Sequence, residues 1–157
     1  MGLLQRLIGR LLRRRVKGRA KGKSLEQLAD QLETSRNVLM PRILGAPDTA
    51  RNREAINHWV GIERWGLDRI RQWRDPPVEL GSHRPFRRPE GSSLEDLQEA
   101  FARTRQESIA LAREMAASGA DPHAVVPHND LGPLTVTEWF EYLDDHSMRE
   151  RIRLSGD

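Results

Sequence analysis

The sequence predicts an all-α protein: a four-helix bundle preceded by a basic N-terminal helix or tail. Three observations carry that prediction. Four segments repeat apolar residues at helical spacing, three of them open on Ser or Thr caps, and no segment sustains the period-two alternation of a half-buried strand. Four amphipathic helices in a chain of 157 residues suffice for one hydrophobic core.

The elements follow in chain order. Residues 1–23 hold nine Lys or Arg and no acid, with Leu3, Leu4, Leu7, Ile8, Leu11 and Leu12 on one helical stripe. Gly18 and Gly22 then loosen the segment toward a linker. The first bundle helix runs from about Ser24 to Met40, where Ser24 and Gln27 form a capping box and Pro41 disturbs the helix. The second spans about Arg51 to Arg74 and stops at Asp75-Pro76-Pro77. Residues 75–91, DPPVELGSHRPFRRPEG, carry too much Pro and Gly for regular structure. The third runs from Ser93 to about Ser118, where Gly119 ends it. The fourth starts at Thr135, boxed by Glu138, and continues to about Leu154. The division is therefore a tail, residues 1–23, and a helical domain, residues 24–157.

Composition narrows the function. With 37% hydrophobic and 31% charged residues, and no apolar run near the ~18 residues of a membrane span, the pattern is that of a globular protein with a charged surface. The absence of cysteine excludes disulfides, thiolate metal sites and a cysteine nucleophile, so thiol chemistry would need an external thiol. Arg6 and Arg10 interrupt the N-terminal apolar stretch, which argues against a signal peptide and favours the cytoplasm; Arg6 also stands where N-myristoylation wants Ser or Thr. The net charge of +3 conceals an asymmetry, because residues 24–157 hold 17 basic against 23 acidic side chains. The tail has two readings: a surface helix for anionic lipid or nucleic acid, or a helix packed on its own domain or on a twin subunit. The second is favoured, since no basic cluster continues into the domain. The tail's stripe is separate from those of the four helices, so the domain is expected to fold without it.

The candidate chemistry lies on two helices. In the last, TEWFEYLDDHSMRERI, His146 falls about 20° from Trp139 around the axis and Glu150 about 20° from Leu143, so imidazole and carboxylate continue a core stripe. In the second, His58 lies at the edge of a wide apolar arc, about 20° from Trp65, while Glu63 lies inside it, about 20° from Ile56 and Ile70. His58 and Glu63 are about 140° apart and cannot share a site; periodicity alone nominates either. Glu63 reads as a structural carboxylate, hydrogen-bonded or paired with an arginine across the bundle. Inward His146 could equally be a hydrogen-bonded core residue, with Glu150 paired to Arg149 or Arg153. Asp144 and Asp145 fall largely off the stripe and read as surface charges. His83, His123 and His128 read as solvent-facing loop residues, with His128 near enough to line a pocket mouth. GSHRPFRRPEG reads as a solvated basic loop in preference to an anion-binding one. No P-loop, dinucleotide glycine motif or Ser-His-Asp order is present.

Two stretches resemble a known family. INHWVGIERWGLDRIRQW, residues 56–73, is similar to the second helix of DinB-like (YfiT-related) four-helix-bundle proteins. HNDLGPLTVTEWFEYLDDHSMRERI, residues 128–152, is similar to their loop and final helix, including Gly132-x-x-Thr135 and the Glu138-Trp139 pair. The resemblance implies an up-down-down-up bundle with a divalent metal near one end, held by one histidine of the second helix and two, four residues apart, of the last. His58 and His146 match the first two. Glu150 stands where the third histidine is expected, and two His plus one carboxylate is itself a known ligand set for zinc, nickel or iron.

What the resemblance implies for function is a metal-dependent enzyme, a thiol-dependent transferase or hydrolase acting on a small molecule, with a low-molecular-weight thiol as co-substrate. The alternative is a non-catalytic, stress-related binding or scaffold bundle whose basic tail meets membrane or nucleic acid. A homodimer fits either reading.

Overall fold

The computed structural model describes residues 3–76 and 81–155, with side chains from residue 8 onward. Gly2, the side chains of Leu3, Leu4, Arg6 and Leu7, and Pro77 lie outside the described residues. The protein is mostly helical: α1 (Leu3–Ala20), α2 (Leu25–Leu44), α3 (Ala50–Arg71), α4 (Leu94–Ala117) and α5 (Val136–Glu150), with a small hairpin of β1 (Val125–His128) and β2 (Gly132–Thr135) before α5. Among the described residues, no helix is long and apolar enough to cross a membrane.

The capping boxes form as their residue types demand. Ser24 accepts from the Gln27 amide, Ser93 from Asp96 and Thr135 from Glu138, and each third residue returns a side-chain contact to its cap. Helix α2 continues through Pro41 for one more turn instead of ending at Met40. Proline forfeits one backbone bond there, but Ile43 is fully buried beyond it and Gly45 donates to the Pro41 carbonyl at 3.0 Å, so packing holds the last turn in place.

Helices α4 and α5 each pack against both α2 and α3, and α1 lies along the outer side of α5. The apolar core falls into two clusters. One gathers Leu28, Leu32, Trp65, Ile70, Ile109, Ala112, Trp139 and Leu143 with their neighbours. The other gathers Leu39, Ile43, Ile56, Trp59, Val60, Leu97, Ala100 and Phe101. Each of the four helices also buries polar residues that meet one another: Ser35 on α2, Glu63 on α3, Arg105 and Ser108 on α4, Asp144 on α5. Arg105 Nε lies 2.7 Å from Glu63 Oε1, and its Nη1 is 3.3 Å from Asp144 Oδ1 and donates to Ser35 Oγ at 2.9 Å. The Ser108 hydroxyl donates to Glu63 Oε1 at 2.8 Å. Glu63 is thus the arginine-paired structural carboxylate, and burial, outweighing Arg105 and Ser108, raises its pKa.

Asp144 and Asp145 are not surface charges: both are 2% exposed. Helix α5 is buried on more than one face: Asp144 turns into the bundle toward Arg105 and Gln31, and α1 covers the side that carries Asp145. Arg15 Nε meets Asp145 Oδ1 at 2.8 Å, Arg19 Nε meets Glu141 Oε1 at 2.5 Å, and Lys23 Nζ meets Glu141 Oε2 at 2.7 Å. Val16 and Ala20 are buried alongside them, so Arg15 and Arg19 of α1 and the following Lys23 face an acidic row on α5.

The hairpin is a second departure from expectation. β1 and β2 pair antiparallel from Val125↔Thr135 to His128↔Gly132. At four residues each, the strands are too short to show an alternation. His128 organises the turn: its Nδ1 accepts the backbone N–H groups of Asp130 and Leu131 at 3.1 and 3.2 Å. The ring is buried against Trp65, Trp139 and Tyr142, which makes it a structural residue and not a solvent-facing one.

Candidate metal centre

His58 projects from the middle of α3, and His146 and Glu150 from the last turns of α5, one helical turn apart. The structure brings all three together. One potential ligand atom from each lies within 4.8 Å of the other two. Ligands bound at 2.0–2.2 Å around one ion sit roughly 3–4 Å apart, so small side-chain rotations suffice to complete a site. The residues also fit a metal by what they lack. His146 Nδ1 and Glu150 Oε2 are buried without a hydrogen-bond partner, a costly state that a cation would relieve. Glu150 Oε2 does lie 2.7 Å from Arg153 Nε, one of the two arginines expected to pair with it, but without hydrogen-bond alignment.

The electrostatics favour neutral imidazoles. Burial, followed by the neighbouring His83, Arg87 and Arg153, lowers the His58 pKa to about 4. Burial, then His58 and Arg149, holds His146 well below the ordinary value. A neutral imidazole is the form that ligates a metal.

His83, read as a solvent-facing loop residue, stands in the site: its ring packs edge-on against His58 with centroids 5.0 Å apart. The segment that carries it is pinned at both ends. The Gly81 carbonyl accepts from Trp65 Nε1 at 3.1 Å and Asn129 Nδ2 at 3.2 Å, while Asn57 brackets the Arg88 backbone through Oδ1 at 2.8 Å and Nδ2 at 3.2 Å. Gly61 of α3 makes the seat possible, since a Cβ there would meet Arg87 Cγ at 2.6 Å and the His83 carbonyl at 3.2 Å. A one-turn 3-10 helix, Arg84–Phe86, shapes the segment where no regular structure was expected. Arg87 Nη2 then reaches His58 Nδ1 at 3.1 Å, and its Nη1 pairs with Glu54 at 2.8 Å. Beside His58 opens a pocket of about 530 Å³ lined by residues of α3, this segment and Arg153.

His123 stays apart from this centre, its backbone N–H donating to Asp121 Oδ1 at 2.9 Å in the loop before β1. No family model, curated protein or solved structure matches the chain. Fold and site together define a mostly helical protein with a two-histidine, one-glutamate cluster whose His58 also lines a pocket.

Proposed function

We propose that this chain is a divalent-metal-binding four-helix bundle of the DinB-like, up-down-down-up kind, and that it is a transferase or hydrolase of small molecules. The convergence of His58, His146 and Glu150, with His58 also lining a pocket, supports the reading. Two imidazoles and one carboxylate suit zinc, nickel or iron and leave coordination positions free for water or substrate. A metal so held acts as a Lewis acid, lowering the pKa of a thiol or water so that a nucleophile exists at neutral pH. In a chain without cysteine such a thiol would come from a low-molecular-weight co-substrate. His58, His146 and Glu150 would hold the ion, and His83 and Arg87 line the pocket beside His58.

One observation favours a rival, non-catalytic bundle: Glu150 already has Arg153 as a partner at 2.7 Å. Metal content decides between them. After expression with zinc, nickel, iron and manganese supplied, the protein should retain about one metal ion per chain, His146→Ala should retain none, and Glu150→His should keep or tighten binding. A metal-free protein, with Glu150→His gaining no affinity, would establish the rival. Contact of α1 with anionic lipid or nucleic acid remains a separate, weaker proposal, because Arg15, Arg19 and Lys23 already pair with α5.

A further inference from the structure

The pocket that His58 lines also takes four arginines into its wall. Arg51 projects from the first turn of α3, Arg84 and Arg87 from the pinned 81–91 segment, and Arg153 from the turn after α5; Glu54 is the single acid among the lining residues. Two of the four are engaged, Arg87 with Glu54 at 2.8 Å and Arg153 with Glu150 at 2.7 Å. Arg51 and Arg84 make no ion pair with any described residue, and both are exposed. Like charges brought together repel, and nothing in the packing of an exposed arginine compels it. Here the convergence is enforced by the clamps on Gly81 and Arg88, which hold the segment over α3.

From this geometry we infer that the pocket is an oxyanion site, taking a carboxylate or phosphate of the small molecule beside the metal-ligand cluster. It deepens the metal reading by naming the substrate class, and rests on that reading only for the adjacency of anion and metal. Guanidinium forks match both carboxylate and phosphate oxygens, and a half-enclosed pocket raises the strength of such contacts over those at an open surface. Arg87 links the two functions. While its Nη2 donates to His58 Nδ1, the His58 proton must reside on Nε2. A metal taken at Nδ1 uses that same lone pair, and a metal taken at Nε2 moves the proton to Nδ1. Either way Arg87 must release His58, which frees its Nη2 for the anion while Nη1 keeps Glu54. Metal and anion therefore bind with positive coupling, and each tightens the other by the same factor.

The test is calorimetric titration of inorganic phosphate, and separately of succinate, at low ionic strength into chelator-treated and zinc-loaded protein. Both forms should bind one anion per chain, the zinc-loaded form more tightly, and added salt should weaken binding. Tighter phosphate binding would identify a phosphorylated ligand and tighter succinate binding a carboxylate; comparable binding of the two would leave the shared oxyanion chemistry as the recognised feature. Arg51→Gln with Arg84→Gln should cost at least about tenfold in affinity while leaving the helical circular dichroism intact. Arg113→Gln, which removes an exposed charge on α4 paired with Glu33, should change nothing. Failure of both anions to bind either form, or undiminished binding by the double variant, would overturn the inference. Anion binding by a protein that never takes up metal would defeat the metal reading alone, and metal uptake without anion binding would defeat this inference alone.

Discussion

Replacing Arg105 by methionine tests the polar layer that crosses the bundle. The guanidinium is fully buried and is the shared partner of Glu63 and Asp144, themselves 1% and 2% exposed. Removing one member of a buried pair costs about 3–5 kcal/mol, because the remaining charge is left without compensation. Two features place this site toward the lower end of that range. Glu63 already has a raised pKa and can take up a proton, and Asp144 keeps the Gln31 amide, which donates to its Oδ2 at 2.7 Å. For a chain of this length about 3 kcal/mol corresponds to a fall in Tm of roughly 6–12 °C. Thermal unfolding followed at 222 nm should show that loss for Arg105→Met. Adding Glu63→Leu should recover most of it, since an apolar replacement of both partners removes the buried charge as well as its neutraliser. A single variant within about 0.5 kcal/mol of wild type would show that Arg105 does not neutralise the layer.

Two further outcomes follow from the packing. Burial lowers the His128 pKa to about 3 against an ordinary 6.5, so the unfolded chain binds a proton that the folded chain refuses throughout that interval; stability should fall with acidification below pH 6.5, by up to about 1.4 kcal/mol per pH unit from this residue. In urea unfolding across that window, His128→Asn, which keeps an acceptor for the turn amides without titrating, should flatten the slope by about one proton; an unchanged slope would contradict the assignment. Deleting residues 1–23 should cost roughly 2–3 kcal/mol, from the lost burial of Val16 and Ala20 and from half-exposed ion pairs to Glu141 and Asp145. The shortened chain should still fold, and an unchanged Tm would show that the contacts of α1 add nothing to its stability.

Much of the helical architecture was legible because it is local. Capping residues and apolar spacing mark α2, α4 and α5 to within a few positions, and the same 3.6-residue geometry puts His146 and Glu150 on one face. The i and i+7 relations that align His58 with Trp65 and Glu63 with Ile56 were legible too, but they could not say which acid would meet which base. That depends on contacts between helices. Arg105 sits within the stripe of Leu97, Phe101 and Ile109, a signal that was available and was missed. The burial of Asp144 and Asp145 was not legible, since the first needs Arg105 of α4 and Gln31 of α2 to meet it inside the bundle and the second needs α1 laid along the far side of α5. Nor was the place of His83, Arg84 and Arg87. Their segment is set by the gap at Gly61, the Asn57 clamp and the Trp65 indole, long-range contacts that leave no periodic trace in a Pro-rich loop.

His58, His146 and Glu150 are proposed to hold one metal ion. X-ray absorption at the edge of the metal bound by the purified protein measures it most directly. The spectrum should show two imidazole nitrogens and carboxylate or water oxygens at about 2.0–2.2 Å, with His58→Ala and His146→Ala each removing one imidazole contribution or the metal itself. A spectrum without imidazole scattering, or one unchanged by His58→Ala, would contradict it.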